Sequence, residues 1–359
     1  MQTANLRVAI VGAGTDADIH LQGIAASRTT TVVGIFDTDV ERAKTVALAA
    51  GCGVYDSFEA VLTDANVDGV AVLSPTATHA KYVDRALRAG KHVVCGRPLG
   101  VDLSEVRAMV KSARQSTCSL LPAHENLYTE PMLELARLLE RDAIGQVTRV
   151  EAHARDTHEI RAEGECQPMT DGQIGALARE GYGPIAAMLA LGQRPAFLDA
   201  MRSTGDANVH LPARAVAEEQ MIVIFQMEGG YLAAVTADLS QQVGPAEHTL
   251  RFLGTEGELR IRRTEKPGED AGAPVRREQL VRIDERAMTV VCEEVVPAAA
   301  ATRMWDDYAE SIRRGTTPFT TIEQAVAATS IVDSAHFAAQ RGMRVNVRGL
   351  VDRQIKGGF

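Results

Sequence analysis

Val8-Ala9-Ile10-Val11 runs directly into Gly12-Ala13-Gly14-Thr15-Asp16-Ala17, and Asp37 closes the next apolar run. An apolar strand feeding a Gly-x-Gly-x-x-Ala turn and then a helix is the pattern of a pyrophosphate cradle. Gly12 permits the tight turn, Gly14 lets the backbone approach phosphates, and Ala17 keeps helix and strand close. The first amides of that helix point at the anion. Asp37 falls where a carboxylate holds a ribose 2′-hydroxyl, and the same charge repels a 2′-phosphate. Thr38 and Asp39 supply no guanidinium to receive one, and Arg42 reads as a solvated residue on the following helix. The pattern favours NAD over NADP; its bland alternative is a fingerprint kept only as scaffold.

The elements that position this turn alternate over the first third of the chain. Apolar runs at 6–11, 31–36, 68–73, 92–95 and 119–121 read as strands. Segments 18–27, 39–50, 57–63, 78–89 and 103–116 read as helices. Such alternation predicts a parallel sheet with helices on both faces, an α/β doubly wound domain over residues 1–123. Ligands of these sheets lie beyond the carboxyl ends of the strands. The loops after Val11, Phe36, Leu73 and Cys95 therefore converge on the dinucleotide. That puts Ser74, Pro75, Thr76, Gly96, Arg97 and Pro98 beside Gly12, Gly14, Thr15, Asp16, Ala17 and Asp37 as cofactor contacts.

After residue 123 the pattern changes. A helix at 131–141 precedes longer alternating strands at 147–154, 196–203, 220–226, 231–239, 249–253 and 259–261. These predict a second α/β domain, 124–359, with a large, mostly antiparallel open sheet. The charge-rich segment 260–286, with Pro267, Gly268, Gly272 and Pro274, reads as a solvated hairpin excursion, a basic interaction patch being the second reading. Glu293 and Glu294 read as a solvated strand end. Helices follow at 304–313 and 321–340, then a closing strand at 344–347. Trp305 reads as core or interface.

With 359 residues the chain can bury two cores. Its 38 basic against 47 acidic residues give a net charge of −9, which argues against a nucleic-acid partner. Cys52, Cys95, Cys118, Cys166 and Cys292 are odd in number and lack metal-ligand spacing, so reduced cytoplasmic thiols are expected and no metal site. The apolar run before Gly12 is a strand rather than a signal peptide, and no apolar stretch has membrane-spanning length.

These features resemble the Gfo/Idh/MocA family of dinucleotide-dependent oxidoreductases over nearly the whole chain. The resemblance rests on the Gly12–Ala17 turn with His20, on Ser74-Pro75-Thr76-Ala77-Thr78-His79 and on Ala89-Gly90-Lys91-His92-Val93-Val94-Cys95 with Pro98-Leu99. It extends to Ile144-Gly145-Gln146-Val147 and Leu253-Gly254-Thr255-Glu256-Gly257. It implies a Rossmann domain and a substrate-binding α/β domain whose open sheet builds homodimers or homotetramers. It implies oxidation or reduction of sugars, cyclitols and related hydroxy compounds, with His79 as a landmark of the loop under the cofactor.

All three of the family's usual acid/base positions are altered. Its usual Glu-Lys-Pro triplet, with a catalytic Lys, is Gly96-Arg97-Pro98 here. Its Gly-x-x-x-Asp-x-Gly-x-His pattern, anchored on Gly175 and Gly181, carries Arg179 for Asp and Gly183 for His. Hydride transfer at a carbinol needs removal of the hydroxyl proton, a task worth about 10²–10⁴-fold in rate. A buried Lys can be tuned for it; an Arg, with a pKa above about 12, cannot. Arg97 can still polarise a carbonyl or hold an anion. Arg97 and Arg179 together would suit an anionic substrate, unless Arg179 merely pairs with Glu180. Tyr182, His124 and the loop residue His158 are candidates for the proton transfer. Three readings stay open: an NAD-dependent oxidoreductase with an altered proton-transfer set, a non-redox lyase or isomerase that retains NAD, and a catalytically silent NAD-binding protein.

Overall fold

The computed structural model describes residues 5–100, 102–155, 175–203, 220–239, 246–266, 275–296 and 298–348. Two compact units divide the chain, Met1–Thr129 with Pro297–Val326 and Glu130–Val296 with Ala327–Phe359.

The first unit begins β1 (Leu6–Val11), α1 (Thr15–Ala26), β2 (Thr30–Phe36), α2 (Val40–Ala50), β3 (Gly53–Val54), α3 (Phe58–Thr63), β4 (Gly69–Val72), α4 (His79–Arg88), β5 (His92–Cys95), α5 (Leu103–Gln115) and β6 (Leu120–Pro122). Its six strands lie in the order β3-β2-β1-β4-β5-β6, every neighbouring pair parallel. Val8 to Val11, Val70 to Val72 and Val93 to Cys95 are buried, as strands covered on both faces must be. Strand order reverses at β1, which makes the ends of β1 and β4 the switch point where such sheets bind ligands. The expected Rossmann architecture is present, with element ends shifted by at most three residues and the short β3 added to the expected strands.

The second unit contains α6 (Glu130–Glu140), β7 (Val147–Arg155), α7 (Tyr182–Ala190), β8 (Pro195–Ser203), β9 (Gln220–Met227), β10 (Leu232–Asp238), β11 (Glu247–Gly254), β12 (Glu258–Lys266), β13 (Val275–Ile283) and β14 (Met288–Val296). With a short closing strand they form a nine-stranded sheet, antiparallel except where β10 pairs with β7. Strand β9 shows why. Met221, Val223, Phe225 and Met227 are buried while Gln220, Ile222, Ile224 and Gln226 are exposed, the period-2 pattern of a half-covered sheet.

The described parts of the charge-rich segment, 260–266 and 275–286, pair as a hairpin, as expected, but not as a solvated excursion. They contribute most of β12 and all of β13 to the main sheet, and β14 continues it. Leu259, Ile261 and Leu280 are buried, and α6 packs against this end of the sheet. The charges that obscured the alternation are paired: fully buried Glu278 accepts from Arg263 Nε at 2.8 Å and Nη2 at 2.5 Å.

Helix α8 (Ala298–Arg314) returns to the first unit, which no single cut along the chain expresses. Trp305 and Tyr308 are buried, and the Tyr308 hydroxyl donates to the carbonyls of Ser119 and Val93. Asp306 accepts from Ser27 and Thr29 at 2.6 and 2.5 Å. A Cβ on Gly23 would stand 2.6 Å from that of Ala301, so α1 and α8 need a glycine at their crossing. The chain continues through α9 (Ile322–Arg341) to β15 (Val345–Asn346), which pairs with β8. No described helix is long and apolar enough to cross a membrane.

Candidate active site

The glycine turn has the form its sequence predicts. Gly12 takes φ +100°, and a Cβ there would lie 2.6 Å from the Ser74 amide nitrogen; only glycine serves. Gly14 differs, since a Cβ on it meets nothing within 4 Å among the described residues. It caps α1 without a side-chain hydrogen bond. Helices α2, α3 and α5 are instead capped by Asp39, Ser57 and Asp102. An uncapped helix start beneath open space is suited to an anion. Ala17, wholly buried, donates its amide to the Gly14 carbonyl.

Asp37 is tied to this turn. Its Oδ2 accepts the Ala13 amide at 2.7 Å, and its Oδ1 accepts the Asp39 amide at 2.8 Å and Arg42 Nη2 at 3.1 Å. Burial pushes the carboxyl pKa up, but the two amides and Arg42 outweigh it and hold the group below the ordinary range. Arg42 is therefore more than a solvated face residue: its guanidinium is bonded to the Asp37 carboxylate.

His79, at the start of α4, joins two of the expected loops. Its Nε2 lies 2.6 Å from the Ser74 carbonyl oxygen, and its Nδ1 lies 3.0 and 3.2 Å from those of Pro98 and Leu99. Burial lowers its pKa. Ser74 also bonds Thr78 through their hydroxyls, while Pro75 and Thr76 lead into α4. The Arg97–Pro98 peptide is cis. These loops hold Gly96, Arg97 and Pro98 at the carboxyl end of β5.

A buried cluster of ionisable side chains lies beside them. Arg97 Nε donates to the Ala123 carbonyl at 2.8 Å, and Nη2 donates to Glu125 Oε1 at 2.7 Å. Burial pushes Glu125 up, but the Arg97 charge holds it below the ordinary carboxylate value. Burial and the Arg97 charge bring His124 down to about 3, so its ring is neutral at physiological pH. His20, also lowered by burial, accepts from Trp305 Nε1 at 3.3 Å. Sequence reasoning missed Glu125. The available signal was a carboxylate inside the otherwise uncharged run from Ser119 to Thr129, where burial demands a partner.

In the second unit Arg179 lies in the π-helical turn Leu177–Gly181 that leads into α7. Its Nε is 3.2 Å from Glu180 Oε1, and Glu180 also lies 3.5 Å from His248 Nε2. The pairing with Glu180 considered from sequence is thus present. Tyr182 follows, buried in the first turn of α7. A Cβ on Gly183, where the resemblance would put a histidine, meets nothing within 4 Å among the described residues. His158 lies outside the described residues.

Residues 6–124 match the family model described as an oxidoreductase family with an NAD-binding Rossmann fold. The chain is 29% identical over 331 residues to a dTDP-3,4-didehydro-2,6-dideoxy-alpha-D-glucose 3-reductase of Streptomyces violaceoruber, covering 87% of each. It is 27% identical over 151 residues to an inositol 2-dehydrogenase of Rhizobium meliloti; this match covers 42% of the chain and 46% of that relative, less than half its length. Among solved structures, an aldose-aldose oxidoreductase of Caulobacter crescentus, complexed with glycerol, gives a TM-score of 0.81 at 20% identity over 95% of this chain and 99% of that one. An oxidoreductase of Agrobacterium radiobacter, in complex with NAD+, L-tartaric acid and magnesium, gives 0.80 at 17% identity over 97% and 100%. At those identities the structures bear on fold alone.

Proposed function

We propose, from the chain's membership of the Gfo/Idh/MocA oxidoreductase family through residues 6–124, that it is an NAD-dependent oxidoreductase of a small polar hydroxy or carbonyl compound. In this reading the first unit holds the dinucleotide, and the second binds substrate and builds the oligomer. The observation that carries it is the open, uncapped glycine turn with Asp37 bonded to its Ala13 amide. Gly12, Gly14, Thr15, Asp16 and Ala17 would receive the pyrophosphate, and Asp37 the adenosine ribose. Ser74, Pro75, Thr76, Gly96, Arg97 and Pro98 would border the remainder, with His79 fixing their backbone. Once bound, the dinucleotide supplies a hydride acceptor or donor.

Arg97 stays protonated and donates to the substrate oxygen as negative charge develops there. Its pairing with Glu125, like that of Arg179 with Glu180, offsets positive charge that an anionic substrate would need. That supports a neutral, sugar- or cyclitol-like compound over an acid. The His124 ring is neutral at physiological pH and holds no proton to give in an exchange. Tyr182 is the second unit's candidate for it.

The outward face of the second unit's sheet supports a homodimer or homotetramer. Met201, Ile222, Ile224 and Leu232 are exposed on it, and register sets Met201 against Ile222. Cys52, Cys95, Cys118 and Cys292 are free thiols, which suits the cytoplasm.

The test is to titrate the protein with NAD+ and NADP+ by calorimetry, then follow NADH formation with myo-inositol, glucose and glycerol, and NADH consumption with ketose and keto-acid counterparts. Preference for NAD+ and turnover of a neutral polyol are expected. Product without net NADH would favour a lyase or isomerase. Tight NAD+ binding with no chemistry would favour a silent binding protein.

A further inference from the structure

We propose that Glu125 is the carboxylate that accepts the substrate's hydroxyl proton, acting beside Arg97 as a paired acceptor and donor. This rests on the oxidoreductase reading above and names a residue for the role that Arg97 cannot fill.

Three observations carry it. Glu125 lies in the turn directly after β6, and its bond to Arg97 places it near the carboxyl end of β5. That is the edge of a doubly wound sheet where ligands sit. The pair is not sealed: the Arg97 side chain keeps 27% of its exposure and that of Glu125 keeps 10%. The arrangement also supplies both halves of what one carbinol oxygen needs, an N–H donor and an acceptor for its proton.

The groups facing Glu125 come from three elements: Arg97 after β5, His20 on α1 and His124 after β6. The Arg97 charge keeps it ionised and ready to accept, the His124 ring beside it being neutral. Oxidation of the carbinol transfers a hydride, with its electron pair, to the NAD+ that the proposed activity uses. The O–H bond breaks, its proton forms a new O–H bond on Glu125, and the electron pair left behind completes the carbonyl. As charge grows on the substrate oxygen, the Arg97 donors turn toward it. Their hold on Glu125 weakens, and the carboxylate becomes a stronger base at the moment it takes the proton.

Glu125→Gln tests this, because the amide oxygen still accepts from Arg97 while the proton-accepting charge is gone. With the polyol that turns over fastest, the variant is expected to lose about 10²–10⁴-fold in kcat. It should also lose the acid limb of the pH–rate profile, with NAD+ affinity unchanged by calorimetry. An arm independent of turnover uses protein labelled with ¹³C at the glutamate carboxyls and saturated with NAD+. The Glu125 resonance is the one missing from the variant. It is expected to move when myo-inositol, glucose or glycerol is added, and the carboxylate's titration with it. A moving resonance without NADH formation would uphold Glu125 and sink the redox reading. A resonance unmoved by all three polyols, or a Gln variant within about threefold of wild-type kcat, would overturn the proposal and leave Glu125 an anchor for Arg97.

Discussion

Asp37 and Ala13 are joined by one short hydrogen bond, 2.7 Å from the amide nitrogen to Oδ2. The bond ties the acidic end of β2 to the turn after β1, so the proposed ribose and pyrophosphate contacts share a single local geometry. Arg42, 3.1 Å from the other oxygen, gives that carboxylate a second meaning. In the proposed reading it is a guanidinium beside the ribose carboxylate, where a 2′-phosphate would come. Asp37→Ser is expected to weaken NAD+ binding by roughly ten- to hundredfold, the worth of a charge-assisted hydrogen bond. It should improve NADP+ binding as Arg42 is released. Adding Arg42→Ala should remove the NADP+ gain. Calorimetry on the three proteins decides it, and an unchanged NAD+/NADP+ ratio in Asp37→Ser would count against Asp37 as the reader.

Acid should destabilise the first unit through His124. The unfolded ring takes up a proton near 6.5, while the folded one does so only at about 3. Between those values the unfolded state binds more protons, so stability falls as pH falls across the window. His20 and His79, also lowered by burial, act in the same direction. Urea midpoints measured from about pH 7.5 to about pH 5 should decline. The decline should be shallower in His124→Asn. Parallel slopes for the two proteins would show that the ring titrates normally.

Trp305 should be among the costlier single truncations. It is 1% exposed, packs edge-on to His20 with ring centroids 6.0 Å apart, and donates to that ring. Trp305→Ala is expected to cost about 3–5 kcal/mol in denaturant unfolding. Trp305→Phe should recover part of that. A loss under about 1 kcal/mol for the alanine variant would mean that α8 contributes little to the first unit.

The first unit was legible because parallel strands announce themselves as short apolar runs, and the glycine turn constrains its own backbone. Gly12 had to be glycine, and the structure supplies the reason in the Ser74 amide. The far end of the second sheet was not legible. In β12 and β13 arginines and glutamates occupy alternate and even inward positions, as Arg263 and Glu278 do, so composition masked periodicity. The site was half legible. Arg97 was visible as a substitution in a motif, whereas Glu125 lies 28 positions away and meets it only because β5 and β6 are neighbours. No local pattern could pair them.

The exposed apolar row on the second unit's sheet makes a separate expectation about assembly. Ile224→Glu places a charge in its middle without touching the buried face. It should shift the protein to a smaller species in light scattering, with its secondary structure retained. An unchanged mass would place the subunit contact elsewhere.

Gly14→Ala addresses the dinucleotide cradle most directly, since its new methyl group enters open space rather than protein. Titration of wild type and variant with NAD+ by calorimetry, beside their thermal midpoints, should give saturable binding in wild type. The variant should bind at least about tenfold more weakly at the same midpoint. Equal affinity in the two proteins, or no heat of binding to wild type at millimolar NAD+ or NADP+, would contradict the account.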